Sequence, residues 1–306
     1  MKISIIGAGN VGALSAMRIA QYNLGDIFLI DVAKGLAEGK ALDLADAQAV
    51  SGLDYNIQGS SDINSIKDSD IVVITAGLAR KPGMTREELL SKNSQILKEV
   101  CLNIKRLSAG AIVIVVTNPL DLMTYLALKI TGFAKDKVLG MGSSLDSSRF
   151  ANLISQELKL PASSVEAMVV GTHGEGMLPL ARHTKIKGVS PEEFLSNEKM
   201  EDLTKKTVGR GAEIVSLLGS GSAFFAPSAA VAQMVKVIAK DEKKILGACA
   251  YLDGEYGIKD ICLGVPCRLG RAGLEKIIEL DLTGKEKEKL LRSADSIRSL
   301  LKQSSF

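Results

Sequence analysis

The sequence predicts an α/β protein, with a doubly wound parallel sheet over its first half and an α+β domain over its second. Three observations carry that expectation. Short, unbroken apolar runs rich in β-branched residues recur through the first half, and helical patterns separate them. A glycine-rich turn, Gly7-Ala8-Gly9-Asn10-Val11-Gly12, stands directly after the first run. A strand covered on both faces has no solvent side to mark with polar residues, so it reads as a continuous apolar run. Neighbouring parallel strands also need a crossover long enough to hold a helix.

Taken in order, Ile3-Ser4-Ile5-Ile6 is the first strand. A helix starts near Asn10, its turns marked by Val11, Leu14, Met17 or Arg18 and Ala20-Gln21. Ile27-Phe28-Leu29-Ile30 is a second buried strand that ends at Asp31. The runs Ile71-Val72-Val73-Ile74 and Ile112-Val113-Ile114-Val115-Val116 are too short for helices and read as further strands. Beyond about residue 142 longer helices mix with shorter strands, and Pro161, Pro179, Pro191 and Pro227 punctuate the segments. Leu290, Ala294, Ile297 and Leu301 recur at spacings of four, three and four, one apolar stripe that docks a final helix. No repeat, low-complexity segment or flexible linker interrupts the chain. The expected organisation is a dinucleotide-binding domain over 1–142 packed closely against a substrate domain over 143–306.

Composition excludes several classes. Lys and Arg number 38 against 35 Asp and Glu, a net charge of +3, which is too balanced for a nucleic-acid or membrane-surface footprint. Any anion bound here is held by a few placed groups. Cys101, Cys249, Cys262 and Cys267 form no CxxC pair and have only two histidines as companions, which argues against both a zinc site and a disulfide framework. Reduced thiols, no apolar run long enough to span a bilayer, and a first strand beginning at Ile3 lead us to expect a cytoplasmic protein without a targeting peptide.

A GxGxxG turn alone is weak. Here it follows a strand, opens a helix, and is matched by an acid at the end of the next strand. Gly7 permits the tight turn, Gly9 lets the backbone approach a pyrophosphate, and Gly12 lets the helix pack close to the strand. The helix N-terminus then presents free N–H groups and a partial positive charge to the phosphates, with Ala8, Asn10 and Val11 completing the turn. Asp31 follows Gly12 by 19 residues. A carboxylate at that strand end accepts hydrogen bonds from ribose hydroxyls and repels a 2′-phosphate, so NAD is expected rather than NADP. The plainer alternative for Asp31 is a turn-capping role.

Three further segments carry candidate chemistry. Gly77-Leu78-Ala79-Arg80-Lys81-Pro82-Gly83-Met84-Thr85-Arg86 follows a strand, where parallel sheets place their ligand crevice, and such a loop serves as a lid or simply as a solvated surface turn. In Leu145-Asp146-Ser147-Ser148-Arg149-Phe150, Asp146 and Arg149 share one helical face, which suits a site or an ordinary intrahelical ion pair. In Gly171-Thr172-His173-Gly174-Glu175, nearby glycines leave the His173 ring approachable, whereas the other histidine, His183, reads as structural.

In order and spacing these stretches resemble the malate/lactate dehydrogenase family, and most of all its lactate-dehydrogenase-like malate branch. The match includes GAGNVG, Asp31, ARKPGMTR, Thr117-Asn118-Pro119-Leu120-Asp121, LDSSRF, GTHGEG and GSAFFAPSAA. The resemblance implies a Rossmann-type NAD domain, and an enzyme that interconverts malate and oxaloacetate with NAD. It makes His173 the general acid/base, Asp146 its tautomer-fixing partner, Arg149 the clamp on the C1 carboxylate and Arg86 the group that polarises the C2 carbonyl. Asn118 sits near nicotinamide and substrate, while Asn93 and the Val116, Thr117 and Asn118 backbone line the cofactor site. Arg80 pairs with the second carboxylate where the lactate branch carries glutamine. The sequence departs from the family at Glu175, which stands where aspartate is usual, and Ser220-Gly221-Ser222 is the expected pocket wall, so fine specificity stays open at both places. A homo-oligomer, dimer or tetramer, is implied, with the apolar stretch Ala223 to Ala232 as a subunit contact or as an ordinary buried helix. Two rival readings stay open: a lactate dehydrogenase, and a catalytically silent NAD-binding protein on the same fold.

Overall fold

The computed structural model describes residues 1–78 and 86–303. The first half runs β1 (Lys2–Ile6), α1 (Asn10–Gln21), β2 (Asp26–Ile30), α2 (Leu36–Ser51), β3 (Ile57–Ser60), β4 (Ile71–Ile74), α3 (Arg86–Leu107), β5 (Ile112–Val115), α4 (Leu120–Thr131) and β6 (Val138–Gly140). These six strands are parallel and lie in the order β3-β2-β1-β4-β5-β6. The order reverses between β1 and β4, and at such a switch point the loops leaving the strands splay apart into a crevice. All four residues of β4 and of β5 are buried, as their unbroken apolar sequence predicts.

Helix α1 begins at Asn10 as expected, but a different face is buried. Gly12, Ser15, Ala16, Ile19 and Ala20 pack inward, while Val11, Leu14 and Met17 are only half-buried. Close approach of α1 to the sheet favours small side chains on that face, so the larger apolar residues mark its flanks.

The second half runs α5 (Gly142–Leu158), β7 (Val165–Glu166), β8 (Val169–Gly171), β9 (Met177–Pro179), β10 (Lys185–Ile186), α6 (Asn197–Leu218), α7 (Phe225–Ala239), β11 (Lys244–Asp253), β12 (Lys259–Gly270), β13 (Gly273–Ile277) and α8 (Gly284–Gln303). The expectation of only shorter strands here is corrected. β11 and β12 have 10 and 12 residues and form an antiparallel pair that continues the sheet from β6. Their middles, Leu246–Ala250 and Ile261–Cys267, are buried on both faces, so they show no alternation by which to recognise them.

Helix α7 contains most of the Ala223–Ala232 stretch. Pro227, Ser228, Ala230, Val231 and Ala232 are buried within this chain, and Arg18 of α1 donates to Ser228 Oγ at 3.1 Å. Half of this stretch is therefore intrachain core, while Phe225, Ala226 and Ala229 stay exposed. The α8 stripe docks as expected, with Leu290, Ala294 and Ile297 at 1%, 0% and 4% exposure. Among the described residues no helix is long and apolar enough to cross a membrane.

Candidate active site

The cofactor crevice is built by the loops leaving β1, β2, β4 and β5. Gly7 has φ +107°, and its N–H donates to the Ile30 carbonyl at 2.7 Å, which turns the chain beneath the end of β2. A Cβ on Gly12 would fall 1.8 Å from the Gly7 carbonyl oxygen, so only glycine lets α1 start this close to the strand. A Cβ on Gly9 would meet nothing within 4 Å, leaving the turn open where a ligand approaches. No side chain caps α1, and its first turn carries no acid. Its positive end is thus left for a phosphate. The residues present fit a dinucleotide.

Asp31 caps backbone groups of two loops. Oδ2 accepts the Ala8 N–H at 2.7 Å and Oδ1 accepts the Ala33 N–H at 3.0 Å. The carboxylate braces the glycine turn and the next loop, and each oxygen keeps a lone pair for a ribose hydroxyl. Sequence reasoning missed Lys40, which reaches from α2 to the Ala8 carbonyl at 2.7 Å and holds the same turn from the other side.

Asn93 is a buried brace between two loops of the crevice. It is 2% exposed, accepts from the Leu78 N–H at 2.8 Å, and donates to the Asn118 carbonyl at 3.0 Å. Its amide ties the loop after β4 to the loop after β5. Thr117 Oγ1 donates to the Ala76 carbonyl at 2.6 Å, and the Val116 N–H donates to Ile74 at 2.9 Å, so these two residues join the same brace. Asn118 itself is exposed at the crevice. Arg80 lies outside the described residues. Arg86 opens α3, and its side chain lies outside the described set as well.

The catalytic candidates are brought together by three helices. On α5, Asp146 is 1% exposed and stands one turn before Arg149. Asp146 Oδ2 accepts from His173 Nδ1 at 2.8 Å, and Oδ1 accepts from Arg149 Nη1 at 3.3 Å. One carboxylate therefore serves both cations, and Nδ1 is committed to it, leaving Nε2 as the nitrogen free for chemistry. Arg149 is nearly buried, and its Nε has no hydrogen-bond partner among the described residues. A buried, underused guanidinium fork is what a ligand carboxylate satisfies.

The His173 loop is fixed at its backbone too. Thr172 N–H donates to Ser293 Oγ of α8 at 2.8 Å, and His173 N–H donates to Asp121 Oδ2 of α4 at 2.8 Å. Gly142, at the start of α5, lies directly under the ring, where a Cβ would come within 2.9 Å of His173 Cβ. Ser293 and Gly142 carried no signal in sequence, because their roles depend on contacts between distant segments. His183 Nε2 donates to the Asp281 carbonyl at 2.8 Å on the surface, consistent with a structural role.

Burial is the largest influence on the His173 ring and favours its neutral form. The attraction and hydrogen bond of Asp146, helped by Asp121, outweigh it, and the pKa ends above the usual 6.5. Burial likewise lowers the pKa of Arg149, with repulsion from Arg210 adding to it and Asp146 opposing it. A cavity of about 920 Å³ opens beside His173 and Pro119, walled by α6 and α8. Ser220, Gly221 and Ser222 lie in an exposed turn between α6 and α7 and do not line it. Glu175 is exposed at its rim.

A switch-point crevice shaped for a dinucleotide, opening toward an imidazole backed by a buried carboxylate, defines an NAD-binding dehydrogenase. Comparison with known proteins makes the assignment specific. Residues 1–140 match the lactate/malate dehydrogenase NAD binding domain, and residues 143–305 match the lactate/malate dehydrogenase alpha/beta C-terminal domain. The chain belongs to the lactate/malate dehydrogenase family. It is 50% identical over 302 residues to malate dehydrogenase of Methanosarcina barkeri, covering 99% of this chain and 98% of that one. The structure of malate dehydrogenase from Salinibacter ruber superposes with a TM-score of 0.94 at 40% identity, over 99% of this chain and 97% of that one. Lactate dehydrogenase of Cryptosporidium parvum, solved with lactic acid and nicotinamide adenine dinucleotide, gives 0.94 at 37% identity, over 98% and 96%.

Proposed function

We propose that this chain is an NAD-dependent malate dehydrogenase, converting malate and NAD reversibly to oxaloacetate and NADH. The observation that carries the chemistry is the Asp146 carboxylate shared between His173 Nδ1 and Arg149 Nη1. The 50% identity to a malate dehydrogenase, together with Arg80 in the segment that follows Ile71–Ile74 in sequence, supports the dicarboxylic substrate over lactate.

NAD, when bound, accepts or returns the hydride. The remaining work falls to the chain. Gly7, Ala8, Gly9, Asn10, Val11 and Gly12 hold the pyrophosphate, Asp31 holds the ribose, and the Val116–Asn118 backbone supports the nicotinamide end. In malate oxidation neutral His173 takes the hydroxyl proton at Nε2, and Asp146 stabilises the imidazolium that results. In oxaloacetate reduction the protonated ring gives that proton back. Arg149 clamps the C1 carboxylate, Arg86 offsets charge on the C2 oxygen, Asn118 orients the reacting end, and Arg80 pairs with the second carboxylate. In this division 1–142 carries the cofactor, and 143–306 supplies the acid/base and the C1 clamp.

Buried thiols at all four cysteines suit a reducing cytoplasm, where malate dehydrogenation serves central carbon oxidation such as the tricarboxylic acid cycle. A homo-oligomer, dimer or tetramer, is part of the same reading. The exposed apolar residues Leu42 and Val50 on α2 and Leu217 on α6 are the places where such a contact is looked for first. NADH oxidation measured with oxaloacetate, with pyruvate and without substrate tests the function. Strong preference for oxaloacetate is expected. Preference for pyruvate would make the chain a lactate dehydrogenase, and no turnover of either would make it a silent NAD-binding protein.

A further inference from the structure

One buried carboxylate in the site has no part in the chemistry above. Asp121 lies in the first turn of α4 and is 4% exposed. Its Oδ2 accepts the His173 backbone N–H at 2.8 Å, and its Oδ1 is buried with no strong donor against it among the described residues. The Cys249 thiol of β11, a weak donor, lies beside the carboxylate, with Cys262 of β12 behind it. Burial pushes this carboxyl up to about 6, so holding it here is costly at neutral pH.

A neutral amide or hydroxyl would accept the same backbone N–H without that cost. What a neutral group cannot supply is a negative field at the imidazole. Among the described residues the charged groups acting most strongly on the His173 ring are Asp146 and Arg149 on α5 and Asp121 on α4; Glu175, Lys205 of α6, and Lys289 and Arg292 of α8 line the cavity beside it, α8 also contributes the Ser293 hydroxyl, and β11 contributes the Cys249 thiol. Arg149 opposes protonation of the ring, and Asp121 adds to the pull of Asp146. The ring is thus bracketed, with one carboxylate at Nδ1 and a second beneath its backbone.

We propose that Asp121 is a positioning residue for His173, fixing the backbone of its loop and supplying a second negative charge that favours the protonated ring. The proposal rests on the reading of His173 as the acid/base. It assigns a reason for a charge, not merely an acceptor, at this position. As the pH falls and Asp121 takes up a proton, the field weakens, so the ring and the carboxyl titrate as a coupled pair.

Asp121→Asn keeps an oxygen for the His173 N–H and removes the charge. The pH profile of kcat/KM for oxaloacetate reduction, measured with saturating NADH, reads the ionisation of the ring. The basic limb of Asp121→Asn is expected to move toward acid by about half a pH unit, less than the roughly 1–3 units of a carboxylate in direct contact. Asp121→Ala, which also loses the backbone bond, is expected to lower kcat by a further factor of about ten, as misplacement of a catalytic group does. An unshifted limb in Asp121→Asn would overturn the proposal, since a merely structural acceptor leaves the ring's proton affinity alone. Should the variants fail to fold, the ring C2 proton of His173 can be followed by NMR in the wild-type chain, its signal assigned by the loss of the other one in His183→Gln. Two inflections are expected, and a single one overturns the coupling. His173→Asn measured in parallel separates the failures. If it retains turnover, the acid/base reading falls and takes this proposal with it. If it is inactive while Asp121→Asn is unshifted, only the role of Asp121 falls.

Discussion

Replacing Asp146 with asparagine removes the charge that His173 and Arg149 share while keeping nearly the same shape. Asp146 accepts from His173 Nδ1 at 2.8 Å and from Arg149 Nη1 at 3.3 Å, and is 1% exposed. With an effective dielectric of about 20, unit charges at those distances attract by about 6 and about 5 kcal/mol. Desolvation offsets much of both, so the expected loss of stability is about 3–5 kcal/mol, the usual cost of breaking a buried pair. The loss depends on pH in a definite direction. The native pKa of His173 is raised above 6.5, so its part of the stabilisation is fully present below 6.5 and disappears as pH rises through the native value. The deficit of Asp146→Asn is therefore largest in acid and narrows toward alkaline pH, leaving the share that belongs to Arg149. In catalysis, burial then acts on the ring with less opposition, and the basic limb of oxaloacetate reduction retreats by roughly 1–3 pH units. Turnover at neutral pH falls by about 10²–10⁴. Chemical denaturation at several pH values and stopped-flow NADH oxidation across the pH range measure the two effects. A variant whose basic limb coincides with that of the wild type would show that Asp146 does not set the proton affinity of His173.

Two other substitutions test the cofactor and substrate assignments. Wild-type enzyme is expected to use NADH far better than NADPH, and Asp31→Ser to narrow that gap while weakening NADH binding, because the brace to Ala8 and Ala33 is lost with the charge. Equal wild-type kcat/KM for the two cofactors would show that the carboxylate does not face the ribose. Arg80→Gln is expected to lower the oxaloacetate-to-pyruvate ratio of kcat/KM by a factor of roughly 10²–10³, from loss of a partly desolvated pair. An unchanged ratio would place Arg80 away from the second carboxylate.

The parts of this molecule that were legible in sequence are those whose signal is local. β4 and β5 are buried on both faces, and their sequences are unbroken β-branched runs. Asp146 and Arg149 are one helical turn apart, so helix geometry alone brings them to one face, and Gly12 and Asp31 work within a single strand–turn–helix–strand unit. β11 and β12 were hidden for the same reason that β4 and β5 were visible: burial on both faces erases alternation, and Gly247, Gly264 and Pro266 interrupt the apolar run. The bracing role of Asn93 has no local signal, because its partners Leu78 and Asn118 lie in other segments of the chain. The anchors of His173 lie still further off in the chain. Ser293 is separated from Thr172 by 121 positions and Asp121 from His173 by 52, and such pairings emerge only when α8 and α4 pack around β8.

Catalysis depends, in the function proposed above, on His173, tuned by the carboxylate of Asp146, moving the proton that accompanies hydride transfer; that role has a direct test. It is tested most directly in His173→Asn, by measuring kcat for oxaloacetate reduction and the Kd of NADH on the same preparation. In this variant kcat is expected to fall by about 10²–10⁴ while NADH binds nearly as in the wild type, because the ring contributes to proton transfer and not to the dinucleotide crevice. Near-normal turnover in this variant, with NADH bound, would contradict it.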